Sequence, residues 1–312
     1  MTTFTHEIIR MERGETSGSK SPMWRCTTKD GQRVNVFQHI DPKKDGSTLF
    51  IEAGYFNQMS GLKVGEALEW SQYPIQVVMT SDGKWFEVKA VAPKPEDAEP
   101  DVLWQPDLKA YRKRARILAN WLISRGDDTF CIDVEMTGLR TDDELVAMAI
   151  IDMNGEVRMN ELICPMNPNK LWRKQKDGLS AADITGITPE QLMETQNFKA
   201  QYPFIRDILD QERWVAYNAN FDVRALDQEC SNAGVPLLTN AGVFDAAVIA
   251  AEYLGNWNEK RQWFEMLKLA DAATQLGVML GAAHTAHADA AATYDILKAI
   301  ASDVGVSAGV PF

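Results

Sequence analysis

The chain has 312 residues, of which 45% are hydrophobic, and a formal net charge of −12. This length suits two domains of roughly 150 residues each, and the apolar content is that of an ordinary globular protein. The negative charge argues against a protein that coats nucleic acid through broad basic surfaces.

The sequence also disfavours membrane and secreted proteins. No apolar run approaches the ~20 residues that a membrane span requires, and the N-terminus lacks the basic and then apolar order of a secretory signal. The cysteines show no close spacing that would predict a zinc framework or a disulfide scaffold. They are Cys26, Cys131, Cys164 and Cys230. These features predict a cytoplasmic protein with no membrane partner.

The N-terminal third is predicted to form three segments. Residues 1–20 are typical of a polar, flexible arm. Residues 21–91 contain several runs of β-formers, separated by the turn signals Lys29-Asp-Gly31 and Ser81-Asp-Gly83, and they predict a small, mostly-β domain. Residues 92–104 are acidic and rich in proline, which predicts an extended linker and a domain boundary.

A second domain is predicted over residues 105–312, and it opens with a connecting helix over 105–126 whose leucines fall on one stripe. From Thr129 onward, strands and helices alternate. Strands are predicted at 130–134, 144–151, 157–163 and 214–216. Helices are predicted at 189–194, 202–210, 222–233, 244–254, 262–277 and 286–302. This order predicts an α/β fold with a mixed sheet flanked by helices.

The first motif with chemical content places Asp133 and Glu135 two residues apart at the end of an apolar strand. Because a strand has a period of two, both carboxylates emerge on the same side. Two acids on one face after a buried run are costly unless cations accompany them. The alternative is a solvated acidic strand edge.

The second and third motifs each place an acid at a helix start. Asp222 opens a helix after a short strand, and Asp289 lies in the first turn of an alanine-rich helix. Taken alone, either acid is explained by its favourable interaction with the helix dipole. His284 precedes Asp289 by five residues, which makes it a candidate general base.

Together the three motifs resemble the DEDDh family of 3′→5′ exonucleases, DnaQ-like proteins of the ribonuclease H-like fold, over roughly residues 127–303. The pattern D-x-E-x-T-G-L is met at Asp133, Glu135, Thr137, Gly138 and Leu139. The pattern N-A-x-F-D is met at Asn218, Ala219, Phe221 and Asp222. The pattern H-x-A-x-x-D-A is met at His284, Ala286, Asp289 and Ala290.

Some positions depart from the usual family pattern. Met136 stands where threonine is common, Tyr217 where histidine is common, and His287 where an apolar residue is common. None of these changes removes a catalytic group. They leave the substrate preference open, and they make His287 a second candidate base beside His284.

The resemblance implies a two-metal phosphodiester hydrolase. Asp133, Glu135, Asp222 and Asp289 are implied to hold two Mg²⁺ or Mn²⁺ ions, and His284 to take the proton from the attacking water. The expected product is a 5′-mononucleotide released from a 3′ end. Residues expected to contact the terminal nucleotide are Met136, Thr137, Gly138, Leu139, Asn218 and Phe221.

Two further features could bind the strand. Lys170, Arg173 and Lys174 surround Trp172, a composition that suits a phosphate backbone and a stacked base, although a solvated loop with a buried tryptophan explains it equally well. The aromatic residues of the 21–91 domain are expected to fill its core, with a grip on substrate or on a protein partner as a hypothesis.

The sequence therefore predicts a metal-dependent 3′→5′ exonuclease, of the proofreading type, acting on single-stranded DNA 3′ ends. One alternative is an exoribonuclease that processes RNA 3′ ends. A second alternative, of another class, is a non-catalytic nucleic-acid-binding or polymerase-associated subunit with a decayed site.

Overall fold

A computed structural model of the chain describes residues 2–15, 22–31, 33–37, 67–69, 75–81, 86–89, 107–140, 142–175, 178–259, 263–281 and 285–302. The chain divides into two compact units. The described residues of 1–118 and 251–266 form the first, and those of 119–250 and 267–311 form the second. The division falls inside a helix, Leu108–Ile123. The predicted linker 92–104 lies outside the described residues.

The described residues of the first unit contain an antiparallel sheet of six strands, which range from 3 to 14 residues in length. They are β1 (Thr2–Glu15), β2 (Pro22–Thr28), β3 (Arg33–Phe37), β4 (Ala67–Glu69), β5 (Ile75–Ser81) and β6 (Phe86–Lys89). Their order is β3-β2-β1-β5-β6, and β4 pairs with β1. The central strand is therefore the first one in the chain.

The prediction of a flexible arm over residues 1–20 is corrected by this sheet. Residues 2–15 form β1, which pairs with β2, β4 and β5. Threonine and isoleucine favour extended backbone, and neighbours on both sides satisfy the hydrogen-bonding groups of the strand. These partner strands come later in the chain. The composition of residues 1–20 alone therefore did not predict the strand.

The first unit also holds most of helix α1 (Leu108–Ile123), the end of a later helix, and a two-stranded ribbon, β12 (Trp257–Asn258) and β13 (Trp263–Phe264). Aromatic rings gather here, since Phe264 lies 4.8 Å from Tyr111 and 5.2 Å from Trp257 between ring centroids. The sequence predicts a helix that begins at residue 262, within this ribbon, but the helix begins only at Leu269. The contact between the Trp257 and Phe264 rings stabilises the ribbon instead.

The second unit is built on a five-stranded mixed sheet. Its strands are β7 (Thr129–Met136), β8 (Leu145–Asp152), β9 (Val157–Leu162), β10 (Glu212–Ala216) and β11 (Asn240–Asp245). They lie in the order β11-β10-β7-β8-β9. The pairs β7–β8 and β8–β9 are antiparallel, whereas β10 is parallel to both β7 and β11. The predicted mixed sheet flanked by helices is thus confirmed.

Helices complete the second unit. They are α2 (Ala181–Thr185), α3 (Pro189–Met193), α4 (Phe198–Leu209), α5 (Asn220–Ala233), α6 (Ala246–Leu254), α7 (Leu269–Leu276) and α8 (Ala286–Ser302). The last four residues of α6 belong to the first unit. Short 3₁₀ segments cover Gly126–Asp128 and Pro168–Trp172. Among the described residues, no helix is long and apolar enough to cross a membrane.

Burial explains why the central strands form where they do. All eight residues of β8 are buried, as expected for a strand covered on both faces. In β7 the buried side chains of Val134 and Met136 join the main apolar cluster, while Asp133 and Glu135 alternate with them on the other face. Period-two alternation thus places both acids on one side of the sheet.

Two helix predictions differ from the structure in an informative way. The sequence predicts a helix over all of 244–254, but β11 runs to Asp245 before α6 begins. The strand forms because β10 provides a parallel partner for it. Helix α4 begins at Phe198, earlier than the predicted 202, because the Asn197 side chain accepts the Ala200 N–H at 3.0 Å and caps it.

Candidate metal centre

Three of the predicted acids converge in the second unit. Asp133 and Glu135 lie on β7, and Asp289 lies in the first turn of α8. Each offers a carboxylate oxygen, and the three oxygens lie within 4.8 Å of one another. Carboxylate oxygens are the donors that Mg²⁺ and Mn²⁺ prefer, so the described residues fit a divalent cation.

The third acid reaches the strand because its helix is lined with alanine. Ala286, Ala290 and Ala292 are buried on α8, and this helix packs against β7 and β8. Small side chains allow the helix axis to approach the sheet closely. Asp289 is thereby brought to the face on which Asp133 and Glu135 emerge.

The fourth acid lies against the same strand. Asp222 is only 2% exposed, and its Oδ1 accepts the Val134 N–H at 3.2 Å. Val134 stands between Asp133 and Glu135 in β7. The hydrogen bond fixes Asp222 beside the acidic cluster, outside the group of three that lies within 4.8 Å.

The electrostatics of the cluster favour cation binding. Burial raises the pKa of Asp133 well above its ordinary range, and the charges of Asp222, Glu135 and Asp289 raise it further. Burial, and then the charge of Asp289, raises the pKa of Glu135 to about 8. Burial likewise raises the pKa of Asp222. Crowded carboxylates of this kind are unfavourable alone and are stabilised by bound cations.

The loop before Asp222 is held by Asp245, a residue that the sequence analysis did not select. Its carboxylate, at the end of β11, accepts the N–H groups of Asn218 at 3.0 Å, Ala219 at 3.2 Å and Ala247 at 2.9 Å. Asn218 has a φ of +65°, a left-handed conformation that asparagine tolerates. The sequence Asp245-Ala-Ala247, at the junction of a strand and a helix, is a local signal for an acid that caps a helix. It does not reveal the bonds to Asn218 and Ala219, because those residues lie far away in sequence.

Tyr217, which replaces the common histidine, makes one defined contact. Its hydroxyl donates to the Leu267 carbonyl at 2.8 Å, and burial raises its pKa. It therefore ties the Asp222 loop to the segment that leads into α7. The neighbouring Phe221 is half-buried against the main core, while Asn218 is exposed.

The turn after β7 is organised by a second residue that the sequence analysis did not select, Asp143. It is fully buried; its Oδ1 accepts the Thr137 hydroxyl at 2.8 Å, and its Oδ2 accepts the Arg140 N–H at 2.7 Å. Leu139 at the tip of this turn is 76% exposed. The turn thus presents one large apolar side chain to solvent, two residues beyond Thr137.

Gly138 and Met136 take different places in this turn. A Cβ at Gly138 would overlap with the side chains of Asp143 and Gln175, so a larger residue at this position would displace one of them. Met136 is a buried member of the main apolar cluster. Strand alternation turns its side chain into the core, and the contact of Met136 with the nucleotide stays a prediction.

The basic segment is paired with acids. Lys170 Nζ lies 2.7 Å from Glu144 Oε1, and Lys174 Nζ lies 2.6 Å from Asp183 Oδ2. Arg173 pairs with Asp142 at 2.9 Å and also with Asp143. Trp172, in their midst, is 51% exposed, which contradicts the alternative in which its ring is buried in the core.

The two candidate bases are placed differently. His284 lies outside the described residues. His287 is half-buried on the first turn of α8, two residues before Asp289. Thr285, just before the helix, accepts the Ala288 N–H with its hydroxyl at 3.3 Å.

Comparison with known proteins gives a consistent family. Residues 130–297 match the RNase_T family model, described as Exonuclease. A protein described as "Uncharacterized exonuclease CP81", from Escherichia phage 186, is 32% identical over 181 residues, or 56% of this chain and 89% of that protein. "DNA polymerase III PolC-type" of Thermotoga maritima is 31% identical over 103 residues, 32% of this chain and only 7% of the polymerase.

Solved structures with low identity also align. The nuclease domain of 3′hExo, a DEDDh family member bound to rAMP, has a TM-score of 0.41 and 16% identity, covering 59% of this chain and 96% of that one. A structure on 3′-end specific recognition of histone mRNA stem-loop by 3′-exonuclease has a TM-score of 0.40 and 13% identity, covering 58% and 84%.

The family match spans more than half of the chain, and it contains all of the acids that gather at the β7 site. We conclude that the chain belongs to the RNase_T exonuclease family.

Proposed function

We propose that the protein is a divalent-metal-dependent 3′→5′ exonuclease that releases 5′-mononucleotides from the 3′ ends of single-stranded DNA. The observation that carries this proposal is the convergence of Asp133, Glu135 and Asp289 within 4.8 Å, with Asp222 fixed to the same strand. Few reactions other than phosphodiester hydrolysis need so many acids at one point.

The acids are proposed to hold two Mg²⁺ or Mn²⁺ ions. When bound, such ions supply electrostatic stabilisation of the attacking and leaving oxygens of an in-line displacement. Asp133 is central, because all three other acids raise its pKa. Asp222, whose carboxylate accepts the Val134 N–H of β7, completes the set.

Other residues are proposed to act on water and on the substrate. His284 is the proposed general base that takes the proton from attacking water. Thr137, Gly138, Leu139, Asn218 and Phe221 are proposed to surround the terminal nucleotide, and the exposure of Leu139 suits it to a contact with the terminal base. His287 is the second candidate base, and replacing each histidine with alanine in turn distinguishes them.

RNA 3′ ends form the second substrate class, because the carboxylate chemistry acts on the phosphodiester and does not read the 2′-hydroxyl. The two solved relatives carry rAMP and a histone mRNA stem-loop in their descriptions, whereas the bacterial relative is a DNA polymerase. The assay therefore includes both nucleic acids.

The N-terminal sheet is proposed to grip long strands or to bind a protein partner. A variant lacking residues 1–101 separates these roles. A grip predicts a raised KM for long strands and an unchanged KM for short ones. A protein-partner role predicts no change at any length.

The central experiment incubates 3′-labelled single-stranded DNA, duplex DNA and RNA with Mg²⁺ or Mn²⁺. Release of labelled mononucleotide is expected from the wild type, and its loss by at least about 10³-fold from Asp133→Ala. Asp207→Asn is the matched control, because Asp207 is an exposed acid on α4.

Two outcomes would contradict the proposal. Absence of mononucleotide release on all three substrates, with strand binding retained, would favour the non-catalytic binding subunit. Full activity of Asp133→Ala would show that the β7 cluster is not the reaction site.

A further inference from the structure

Trp172 stands out among the exposed apolar residues because both of its neighbours are fixed. It ends the 3₁₀ helix Pro168–Trp172 and is 51% exposed. Leu171, one residue before it, is fully buried and packs with Val146, Ala182 and Leu192 in a separate apolar cluster. The backbone beside the indole is thus anchored while the ring itself faces solvent.

Charged side chains anchor the segment on either side of the ring. Lys170 Nζ donates to Glu144 Oε1 at 2.7 Å and to the Asp142 carbonyl at 2.5 Å. The guanidinium of Arg173 bonds to Asp142 and to the fully buried Asp143. We call residues 170–174 the Trp172 arm.

The charge balance of the arm does not suit a phosphate clamp. Its three cations, Lys170, Arg173 and Lys174, meet four carboxylates, those of Asp142, Asp143, Glu144 and Asp183. Phosphate binding requires basic groups that are available to the strand. Arg173 instead directs its fork at acids, which is the geometry of a structural bidentate pair.

The arm is joined to the turn that follows the catalytic strand. Asp143, which Arg173 contacts, accepts the Thr137 hydroxyl at 2.8 Å, and Thr137 is two residues beyond Glu135. On the other side of the arm, Gln175 lies so close to Gly138 that a Cβ there would overlap with it. Trp172 and the exposed Leu139 are therefore carried by two segments that pack directly against each other.

Resting on the proposed exonuclease function, we propose that Trp172 is a stacking platform for an unpaired base of the strand, upstream of the terminal nucleotide. Arg173 is a positioning residue that holds this platform against the Thr137–Leu139 turn. An aromatic face of this kind binds bases without reading their sequence. It selects an unpaired 3′ end, because a base within a duplex has no free face for the indole.

The first test separates the platform from the reaction site. The substrates are an oligonucleotide of about 10 nucleotides, as DNA and as RNA, and the p-nitrophenyl ester of thymidine 5′-monophosphate, which has no upstream base. In Trp172→Ala, KM for the oligonucleotides is expected to rise about tenfold, with kcat nearly unchanged. Trp172→Phe restores most of the affinity, and hydrolysis of the ester is unaffected in both variants.

A matched control and a base-deletion series sharpen this test. Phe204→Ala removes a ring that is 54% exposed on α4, and it should leave every substrate unchanged. An abasic nucleotide is then moved along the oligonucleotide. At the stacking position it should raise KM for the wild type, but add nothing to the effect of Trp172→Ala, since the same contact is lost.

The second test concerns Arg173. In the Asp133→Asn background, the dissociation constant of the oligonucleotide is measured against salt concentration. Arg173→Ala should weaken binding as Trp172→Ala does, with the slope of log K against log salt unchanged. A phosphate contact would instead reduce that slope by about 1.

The outcomes distinguish this inference from the function on which it rests. If the wild type cleaves neither the ester nor the oligonucleotides, the proposed function fails. If it cleaves both, and Trp172→Ala matches the wild type on the oligonucleotides, the platform is wrong. Self-association that depends on Trp172, with unchanged KM, would assign the ring to a second copy of the chain and also overturn it.

Discussion

At the scale of single residues, the four acids take their roles from the residues that hold them. Asp222 is set by the Val134 N–H, and the loop before Asp222 is set by Asp245. Neither Val134 nor Asp245 is a member of the acidic cluster of three. In metal sites, groups of this kind orient the residues that bind the ion, and we expect the same of these.

Asp245 provides the prediction at this scale. Asp245→Ala removes the acceptor of three backbone N–H groups, so Asn218 loses support for its left-handed conformation. Exonuclease activity and Mn²⁺ affinity should each fall roughly tenfold to a hundredfold, and stability should fall by about 1–3 kcal/mol. Titration calorimetry with Mn²⁺ measures the affinity separately from activity.

The control for Asp245 is Asp210→Ala. Asp210 also fixes a turn with its carboxylate, accepting the Thr239 N–H at 2.9 Å and the Thr239 hydroxyl at 2.6 Å. It should lose stability without losing Mn²⁺ affinity. If Asp245→Ala lowers stability but leaves Mn²⁺ affinity normal, then Asp245 only stabilises a turn, as Asp210 does, and does not support the metal site.

At the scale of elements, β7 and α8 together form the cluster. Period-two alternation on β7 is visible in the sequence, and it places Asp133 and Glu135 on the same side. The alanine content of α8 is also visible there. The distance between the strand and the helix, however, depends on how the buried alanines pack against the sheet.

Ala290 tests this packing. It is fully buried in the same turn of α8 as Asp289, so Ala290→Leu should push the start of the helix away from β7. We expect a loss of about 1–3 kcal/mol of stability from overpacking. We also expect Mn²⁺ affinity to fall by more than it does in the Ala299→Leu control. Ala299→Leu, the same change at a half-buried position in the last turns of α8, should retain metal affinity.

The measurements are chemical denaturation for stability and calorimetry for Mn²⁺. If Ala290→Leu is as destabilised as expected but binds Mn²⁺ like the wild type, then the position of α8 does not control the site.

At the scale of the whole molecule, the acidic cluster links stability to pH and to metal. Glu135 has a pKa raised from 4.5 to about 8, and the pKa values of Asp133 and Asp222 are raised as well. At a pH between the ordinary pKa values of the unfolded chain and the raised values of the folded protein, the folded protein binds more protons than the unfolded chain does. The free energy of unfolding should therefore decrease as pH rises from about 4.5 to about 8 in the absence of metal.

Thermal denaturation in EDTA at pH 5, 6, 7 and 8 measures this trend. Saturating Mg²⁺ should raise the melting temperature most at pH 8, because bound cations stabilise the ionised carboxylates. Glu135→Gln should weaken the pH dependence. Acids with lowered pKa values, such as Asp183 and Asp210, contribute stability that is lost only as pH falls below about 4, outside this window. A melting temperature that rises from pH 5 to pH 8 in EDTA would contradict the prediction.

The sequence by itself indicated the family, the succession of three strands that begins with the strand of Asp133, and the four candidate acids, because motifs and periodicity are local properties of the chain. It did not reveal β1, β11, Asp143 or Asp245, since each depends on partners distant in sequence. The sequence also supported a buried ring and an exposed ring at Trp172 equally well. Only the tertiary structure decided that question, because the acids that bind Lys170 and Arg173 lie about thirty residues earlier in the chain, at 142–144.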